Sequence, residues 1–316
     1  FSGVILLSAL LSSCEEFRNN EPPLETTNEL MLSTYEGLEA ATNAAYAPLY
    51  SVSWYGRNFT VTADLKGGNS KASPINTGRF RYDYTWSNNA SYTSNVWQPA
   101  YQTIIRASNV IEHADNLDDP EATQDATDQL KGEAFFLRAL AHFDLVRMYA
   151  QPYSHAPQSL GVPIITKAEL TYPKRSTITE VYNQILSDLD QAATLLGDAV
   201  RSGSNGSNAA FATSTASNAL LAKVSLYMEA WQDAADYASD VITSTDYALY
   251  DSAAYVNAWG QNDQSEVIFE VFGKDGQEYF PGFDEIGYIY DPNGYGDVCA
   301  TNDLLGLFEP EDVRGQ

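Results

Sequence analysis

The segment from about residue 122 to about residue 150 constrains the fold more than any other, because it is apolar on two faces. Apolar residues that recur every three or four positions mark one face of a helix. One such stripe consists of Leu130, Ala134, Leu137, Ala141, Leu145 and Met148, and a second consists of Phe136, Leu140 and Phe143. A helix that is apolar on two sides is buried between neighbouring elements. The segment therefore predicts a central helix in a helical assembly.

Similar periodicity predicts further helices on both sides of this segment. They lie at 34–50, 97–118, 177–196, 214–229 and 232–243. Thr177 and Glu180 have the spacing of a capping box at the start of the third of them. Near the end of the series, a stripe of Leu220, Val224, Tyr227 and Trp231 is followed almost at once by one of Ala234, Ala235, Ala238 and Ile242.

Large residues on one helix and alanines on the next resemble a tetratricopeptide unit, in which each helix pair buries its stripe against the following pair. We expect 97–118 to pair with 122–150 and 177–196 with 214–229, while 232–243 has a partner that the pattern does not show. The predicted fold is therefore all-α, a tetratricopeptide-like scaffold of helix pairs with long irregular loops and minor short strands.

Two stretches depart from the helical pattern. Residues 51–96 are rich in Gly, Asn and Ser and predict a long loop, in which aromatic and polar residues alternate as in an extended strand between Phe80 and Trp86. After Ser244 the chain becomes rich in tyrosine and glycine, with a strand-like piece at 267–272.

The charge of the chain excludes some functions. Of the 316 residues, 44% are apolar and 19% are charged, values typical of a chain that folds. The net charge of −25 would repel phosphate backbones. We therefore expect no nucleic-acid partner.

The N-terminal segment has the features of a bacterial lipoprotein signal. Residues 1–13 are uncharged and carry an apolar run of the length of a signal-peptide core, without the basic start. Leu11 to Cys14 resembles a lipobox, and Glu15 and Glu16 resemble the surface-export signal of Bacteroidetes lipoproteins. We expect a partial signal peptide at 1–13, lipidation at Cys14, a tether at 14–33 and a helical domain at 34–316. Cys299 is then left without a disulfide partner.

No catalytic or cofactor motif is present in the sequence. The nucleophile-elbow, P-loop, zinc-protease and dinucleotide-binding patterns are absent, and the three histidines have no ligand spacing. The segment from Asp291 to Asp297 has some similarity to a calcium loop but lacks its twelfth-position glutamate, and a tight turn explains it. We therefore expect no catalysis, no cofactor and no metal site.

A collinear series of motifs along the chain resembles the SusD/RagB family of outer-membrane lipoproteins. The series consists of Trp97-x-x-Ala-Tyr with Ile104, Ala107 and Asn109; Gly132-Glu-Ala with Leu137-Arg-Ala; Leu160-Gly-Val-Pro; Arg175-Ser-Thr with Val181-Tyr and Asp188-Leu; Ala219 to Tyr227; Ser265-Glu-Val-Ile; and Asp312-Val-Arg.

The resemblance implies a tetratricopeptide-like protein, anchored by lipid and facing outward on the outer membrane, that does not catalyse a reaction. Such a protein binds an oligosaccharide, a polysaccharide or another nutrient and delivers it to a SusC-like TonB-dependent transporter. Family members run beyond the residue that corresponds to Gln316, so the resemblance also implies a further helical pair and further ligand loops.

The resemblance also indicates ligand-binding residues. Trp86 and Asn89 are similar to the tryptophan and asparagine of the family's glycan site, and Arg81 could add a hydrogen-bond donor. From the tyrosine-rich region and its surroundings we add Tyr288, Tyr290 and Trp259.

Other prominent side chains in these segments suit structural roles. We expect Phe80, Tyr82, Tyr84 and Trp97 to anchor the loop as core residues. The charged residues of the central helix, Glu133, Arg138 and Arg147, need buried partners.

Two other functions stay open at this point. A glycoside hydrolase on a helical scaffold would need two carboxyl groups set across a substrate, which sequence spacing does not reveal. A tetratricopeptide adaptor would bind another protein. The lipobox and the tyrosine-rich loops favour glycan binding over the adaptor, and the missing catalytic motifs favour it over the hydrolase.

Overall fold

The computed structural model describes residues 28–86, 95–169, 171–197, 201, 209–244, 246–259, 261, 265–272 and 285–315. Its first helices are α1 (Asn28–Met31), α2 (Tyr35–Tyr46), α3 (Asn58–Gly67) and α4 (Arg81–Tyr84). The long helices are α5 (Trp97–Ala114), α6 (Gln124–Tyr149), α7 (Ile178–Leu195), α8 (Ser214–Tyr227) and α9 (Trp231–Thr243). Short helices follow as α10 (Ser252–Ala258), α11 (Ile286–Tyr290) and α12 (Asn302–Leu305). Ala47–Tyr50 and Val313–Gly315 are 3₁₀ turns, and the strands are β1 (Ser70–Ala72) and β2 (Val298–Ala300).

The five long helices form a layered array in which each helix packs on the next. Helix α6 lies between α5 and α7, α8 joins α7 to α9, and α2 covers α5 and α6. Every residue of α6 from Gly132 to Val146 is buried. This confirms the prediction of a central helix with two apolar faces, and the all-α, tetratricopeptide-like scaffold with it.

The charges buried in α6 have partners, as the sequence required. Glu133 binds Arg201 from the connection between α7 and α8, with Oε2 to Nη2 at 2.8 Å. Arg138 reaches Asp188 on α7, with Nη2 to Oδ1 at 2.7 Å. Such pairs satisfy charges that would otherwise be costly inside the protein.

The one predicted helix cap is present, and one predicted helix end is displaced. Thr177 and Glu180 form the predicted capping box at the start of α7. Trp231, predicted as the last apolar position of one helix, instead opens α9. The reason is a break at Glu229, whose φ of 60° ends the preceding helix at Tyr227.

Residues 51–86 contain more regular structure than the predicted loop. Helices α3 and α4 and strand β1 lie there, and β1 pairs antiparallel with β2 from Ser70 opposite Ala300 to Ala72 opposite Val298. A small second core forms around Val61, Leu65, Ile289 and Val298. We call this unit, residues 58–86 with 285–305, the satellite module.

The prediction of an extended segment at 80–86 is wrong. Arg81–Tyr84 is a helical turn, and Phe80 before it and Trp86 after it have positive φ. The turn forms because the carboxylate of Asp83 accepts a hydrogen bond from Thr62 of α3.

The strand-like piece at 267–272 also forms no strand. Instead, Phe269 packs its ring edge on Phe136 of α6, with centroids 5.1 Å apart. Across the described part of the chain, no helix combines the length and the apolar character that a membrane span needs.

Candidate functional site

The satellite module contains four of the predicted ligand-binding residues. Arg81 begins α4 and Trp86 follows it, while Tyr288 and Tyr290 lie in α11. Two segments far apart in sequence thus belong to one small unit. Asn89 and Cys14 lie outside the described residues.

Trp86 presents a large indole to solvent. Its relative exposure is 67%, and its backbone N–H donates to the carbonyl of Asp83 at 3.2 Å. Its φ of 55° lies in the left-handed region, which is uncommon for a bulky residue. Backbone strain of this kind is concentrated at functional sites, where the surrounding structure maintains it.

Tyr82 and Tyr84 are not core residues, contrary to our expectation. Their exposures are 46% and 45%. Asp83, which lies between them, is directed toward α3, so the neighbouring side chains project away from it on the helical turn. The expected anchoring role fits Phe80, which packs against the second core. Trp97 is 38% exposed and is not a core residue either, although its ring lies 4.8 Å from that of Tyr101.

The two tyrosines of α11 have different surroundings. The hydroxyl of Tyr290 donates to Asp64 Oδ2 at 2.6 Å, and its ring packs against the second core. Burial, followed by this hydrogen bond and the nearby charge, raises the pKa of Tyr290. Tyr288 contacts Tyr295 edge to face, with ring centroids 5.0 Å apart. Tyr290 therefore has a clear structural role in the module, and a ligand contact by either tyrosine stays a prediction.

Trp259 lies in another part of the fold. It follows α10, is 79% exposed, and packs at right angles to Tyr255 with centroids 6.0 Å apart. Helix α10 packs on the 3₁₀ turn at Val313–Gly315. The satellite module thus contains the other described candidates, and Trp259 packs elsewhere.

A cluster around Asp297 joins the two halves of the module and was not predicted. The Asp297 carboxylate is fully buried and accepts hydrogen bonds from the N–H of Thr77 at 2.6 Å and from Arg79 Nη1 at 3.1 Å. Its carbonyl accepts from Ser73 N–H at 3.0 Å and from Asn76 Nδ2 at 2.8 Å. The segment that resembled a calcium loop is thus a turn whose final carboxylate binds protein donors.

Arg79 is the candidate residue that the sequence analysis missed. Its guanidinium carbon lies 3.6 Å from the ring centroid of Tyr295, and its Nη1 also donates to Thr77 Oγ1 at 2.6 Å. Arg81, which was predicted as a donor, is exposed in the same segment. No local pattern distinguishes the two arginines, because Asp297 and Tyr295, which contact Arg79, lie more than 200 positions away in the sequence.

The described residues contain no cluster of metal ligands. No group of three or more His, Cys, Asp or Glu side chains within them is placed to hold a metal ion. His142 is fully buried in α6, where burial and then the charge of Arg138 lower its pKa to about 3.

A polar cleft of about 170 Å³ lies at the turn between α5 and α6, lined by Asp115, Thr127, Lys131 and neighbouring residues. None of the predicted site residues lines it.

Comparison with known proteins identifies the family. The sequence profile of the SusD-like family described as starch-binding and associating with the outer membrane matches residues 17–226. SusD-like protein P2 of Formosa agariphila is 28% identical over 244 residues, which are 76% of this chain and 45% of that protein. SusD-like protein P38 of the same organism is 32% identical over 199 residues, 60% of this chain and 36% of that protein.

Solved structures show the same fold. A SusD superfamily protein from Bacteroides vulgatus has a TM-score of 0.81 at 28% identity, covering 89% of this chain and 64% of that one. A laminarin-binding SusD-like protein has a TM-score of 0.55 at 23% identity, covering 71% and 47%. The chain spans less than half the length of the curated relatives that it matches. On the profile match and these similarities, the chain belongs to the SusD-like family.

Proposed function

We propose that the chain binds a glycan through the satellite module, with the exposed indole of Trp86 as the primary contact. The C–H face of a sugar ring stacks on an aromatic plane, and polar side chains bind its hydroxyl groups. Trp86 supplies an aromatic plane that is 67% exposed and fixed at its backbone. The starch-binding description of the matching family supports this proposal. Arg81, Asn89 and Tyr288 are further contacts in the same proposal.

The proposal extends to the place of the protein in nutrient uptake. Lipidation at Cys14 would anchor the chain to the outer membrane, facing outward, and a SusC-like TonB-dependent transporter would receive the glycan. The support consists of the lipobox-like sequence, the acidic pair after it and the outer-membrane association described for the family.

The proposed role is capture without cleavage. A glycosidase requires two carboxyl groups on either side of a sugar. Three described carboxylates of the satellite module, Asp64, Asp83 and Asp297, are engaged with Tyr290, Thr62 and Arg79. Binding without hydrolysis is therefore favoured over the hydrolase alternative.

Titration calorimetry with oligosaccharides of starch, laminarin and galacturonic acid tests the proposal, together with chromatography of each sugar after incubation. We expect at least one oligosaccharide to bind and to be recovered intact. Failure to bind any of them would contradict glycan binding. Cleavage that is lost on changing one carboxylate would instead support the hydrolase.

A further inference from the structure

A buried carboxylate holds the start of helix α3 on the helical array. Asp144 of α6 is fully buried, and its Oδ2 accepts hydrogen bonds from Trp54 Nε1 and from the hydroxyl of Tyr55, both at 2.7 Å. Tyr55 packs edge to face on Phe59 of α3, with ring centroids 5.5 Å apart. The segment that enters α3 is therefore bound to α6 by two hydrogen bonds to a charged group, the stronger class of hydrogen bond.

Arg147, one turn along α6, occupies the other oxygen of this carboxylate. Its Nη2 donates to Asp144 Oδ1 at 2.5 Å, and its Nη1 donates to the hydroxyl of Tyr227 on α8 at 3.2 Å. Its guanidinium carbon lies 5.7 Å from the ring centroid of Phe59. Burial, followed by the charge of Asp144, raises the pKa of Tyr55, so the Tyr55 hydroxyl keeps its proton and continues to donate. The cluster thus joins α6, α8 and the start of α3.

Helix α3 continues from this cluster into the satellite module. Its Thr62 donates to the carboxylate of Asp83 in α4, and the carbonyl of Asp83 accepts the backbone N–H of Trp86 at 3.2 Å. The helix packs on α4 and β1, and it contributes to the second core, which is separate from the core of the helical array. One helix and a short series of hydrogen bonds therefore connect Asp144 to Trp86.

We propose that Asp144 is a positioning residue for glycan binding, which holds α3 on the helical array and thereby fixes the turn that carries Trp86. This inference rests on the proposed glycan-binding function and assigns a role in binding to a residue inside the helical array. The apparent affinity for a ligand falls with the fraction of molecules in the binding-competent conformation. Loss of the hydrogen bonds to Asp144 lowers that fraction.

The test uses two variants of the full chain and a matched control. Asp144→Asn keeps the shape of the side chain and removes its charge. Tyr55→Phe removes one donor and leaves the pair of Asp144 with Arg147 intact, so it decides the question if Asp144→Asn folds poorly. The control is Asp188→Asn, which makes the same change in the buried pair of Asp188 with Arg138.

Titration calorimetry measures the affinity for the oligosaccharide that the wild type binds best, at a temperature at which circular dichroism shows each variant to be folded. We expect binding to weaken roughly fivefold in Asp144→Asn and roughly twofold in Tyr55→Phe, in proportion to the lost competent fraction. Asp188→Asn should bind as the wild type does. In a Trp86→Ala background the losses should be clearly smaller, because residues that act through one another are not additive.

Hydrogen exchange of the backbone amides gives a second measurement that needs no ligand. In Asp144→Asn and Tyr55→Phe we expect faster exchange in α3 and α4 and unchanged exchange in α7, because local opening is confined to the released segment. A loss of global stability would instead accelerate exchange in all three helices.

Two results would overturn the inference while leaving glycan binding intact. One is wild-type affinity in Tyr55→Phe and in any folded Asp144→Asn. The other is a loss of affinity that is equally large in the Trp86→Ala background or in Asp188→Asn, which would indicate a general structural effect. Absence of binding of every oligosaccharide to the wild type would overturn the proposed function itself, and this inference with it.

Discussion

Removing Asp188 should cost much of the stability of the helical array, because it leaves a buried arginine without its counter-ion. Arg138 donates from Nε and Nη2 to Asp188 at 2.8 and 2.7 Å, and the two side chains are 5% and 2% exposed. The remaining partners of Arg138, Ser108 Oγ and the Thr166 carbonyl, are both at 3.3 Å. Breaking a buried pair in this way costs about 3–5 kcal/mol.

Urea unfolding followed by circular dichroism measures this loss. With a denaturant slope near 3 kcal/mol per molar, Asp188→Ala should lower the midpoint by about 1 M or more. The matched control is Asp312→Ala, which removes the partner of the exposed Arg314 and should leave the midpoint unchanged.

A double variant separates the charge from the packing. Arg138→Met with Asp188→Leu removes both charges at similar volume and should recover most of the loss, as replaced buried pairs do. A midpoint for Asp188→Ala equal to that of Asp312→Ala would refute the reasoning, because the pair would then behave as a solvated one.

Two further predictions concern α6. His142 is neutral in the fold with a pKa of about 3, so only the unfolded chain binds its proton between that pH and about 6.5. This contribution to stability is complete above pH 6.5 and is lost as the pH falls, by about 2–3 kcal/mol near pH 4.5. The urea midpoint of His142→Gln should therefore fall less on acidification than that of the wild type. An identical pH dependence of the two midpoints would contradict this prediction. At Gly132 a Cβ would lie 2.8 Å from Leu196 Cγ and 3.2 Å from Leu195 Cβ. Gly132→Ala should therefore destabilise by about 1–3 kcal/mol through overpacking despite its better helix propensity, whereas a raised melting temperature would contradict the close approach.

The helical array was predictable because its signal is local. Apolar spacing located every long helix, and the two-faced stripe of α6 showed that it is central. The satellite module was not predictable in the same way. Its sheet pairs Ser70 with Ala300, and its turn at α4 depends on a bond between Asp83 and Thr62. Alternating aromatics at 80–86 resembled a strand because the pattern does not show this tertiary contact.

The candidate site was predictable only in part for the same reason. An exposed aromatic such as Trp86 is recognisable from its polar surroundings and from the family resemblance. Tyr82 and Tyr84 have the same composition around them, and only the direction of Asp83 determines that they face solvent. The surroundings of Arg79 and Arg81 differ only in the folded structure, where Asp297 and Tyr295 contact Arg79.

Titration calorimetry of Trp86→Ala, with the oligosaccharide that the wild type binds best, tests the proposed glycan site most directly. The matched control is Trp231→Ala, which removes an indole that is 63% exposed on α9. Since an aromatic stacking contact is worth about 1 kcal/mol or more, we predict binding weakened roughly five- to thirty-fold for Trp86→Ala and wild-type binding for Trp231→Ala, with unchanged melting temperatures. Wild-type affinity in Trp86→Ala would contradict the proposed site.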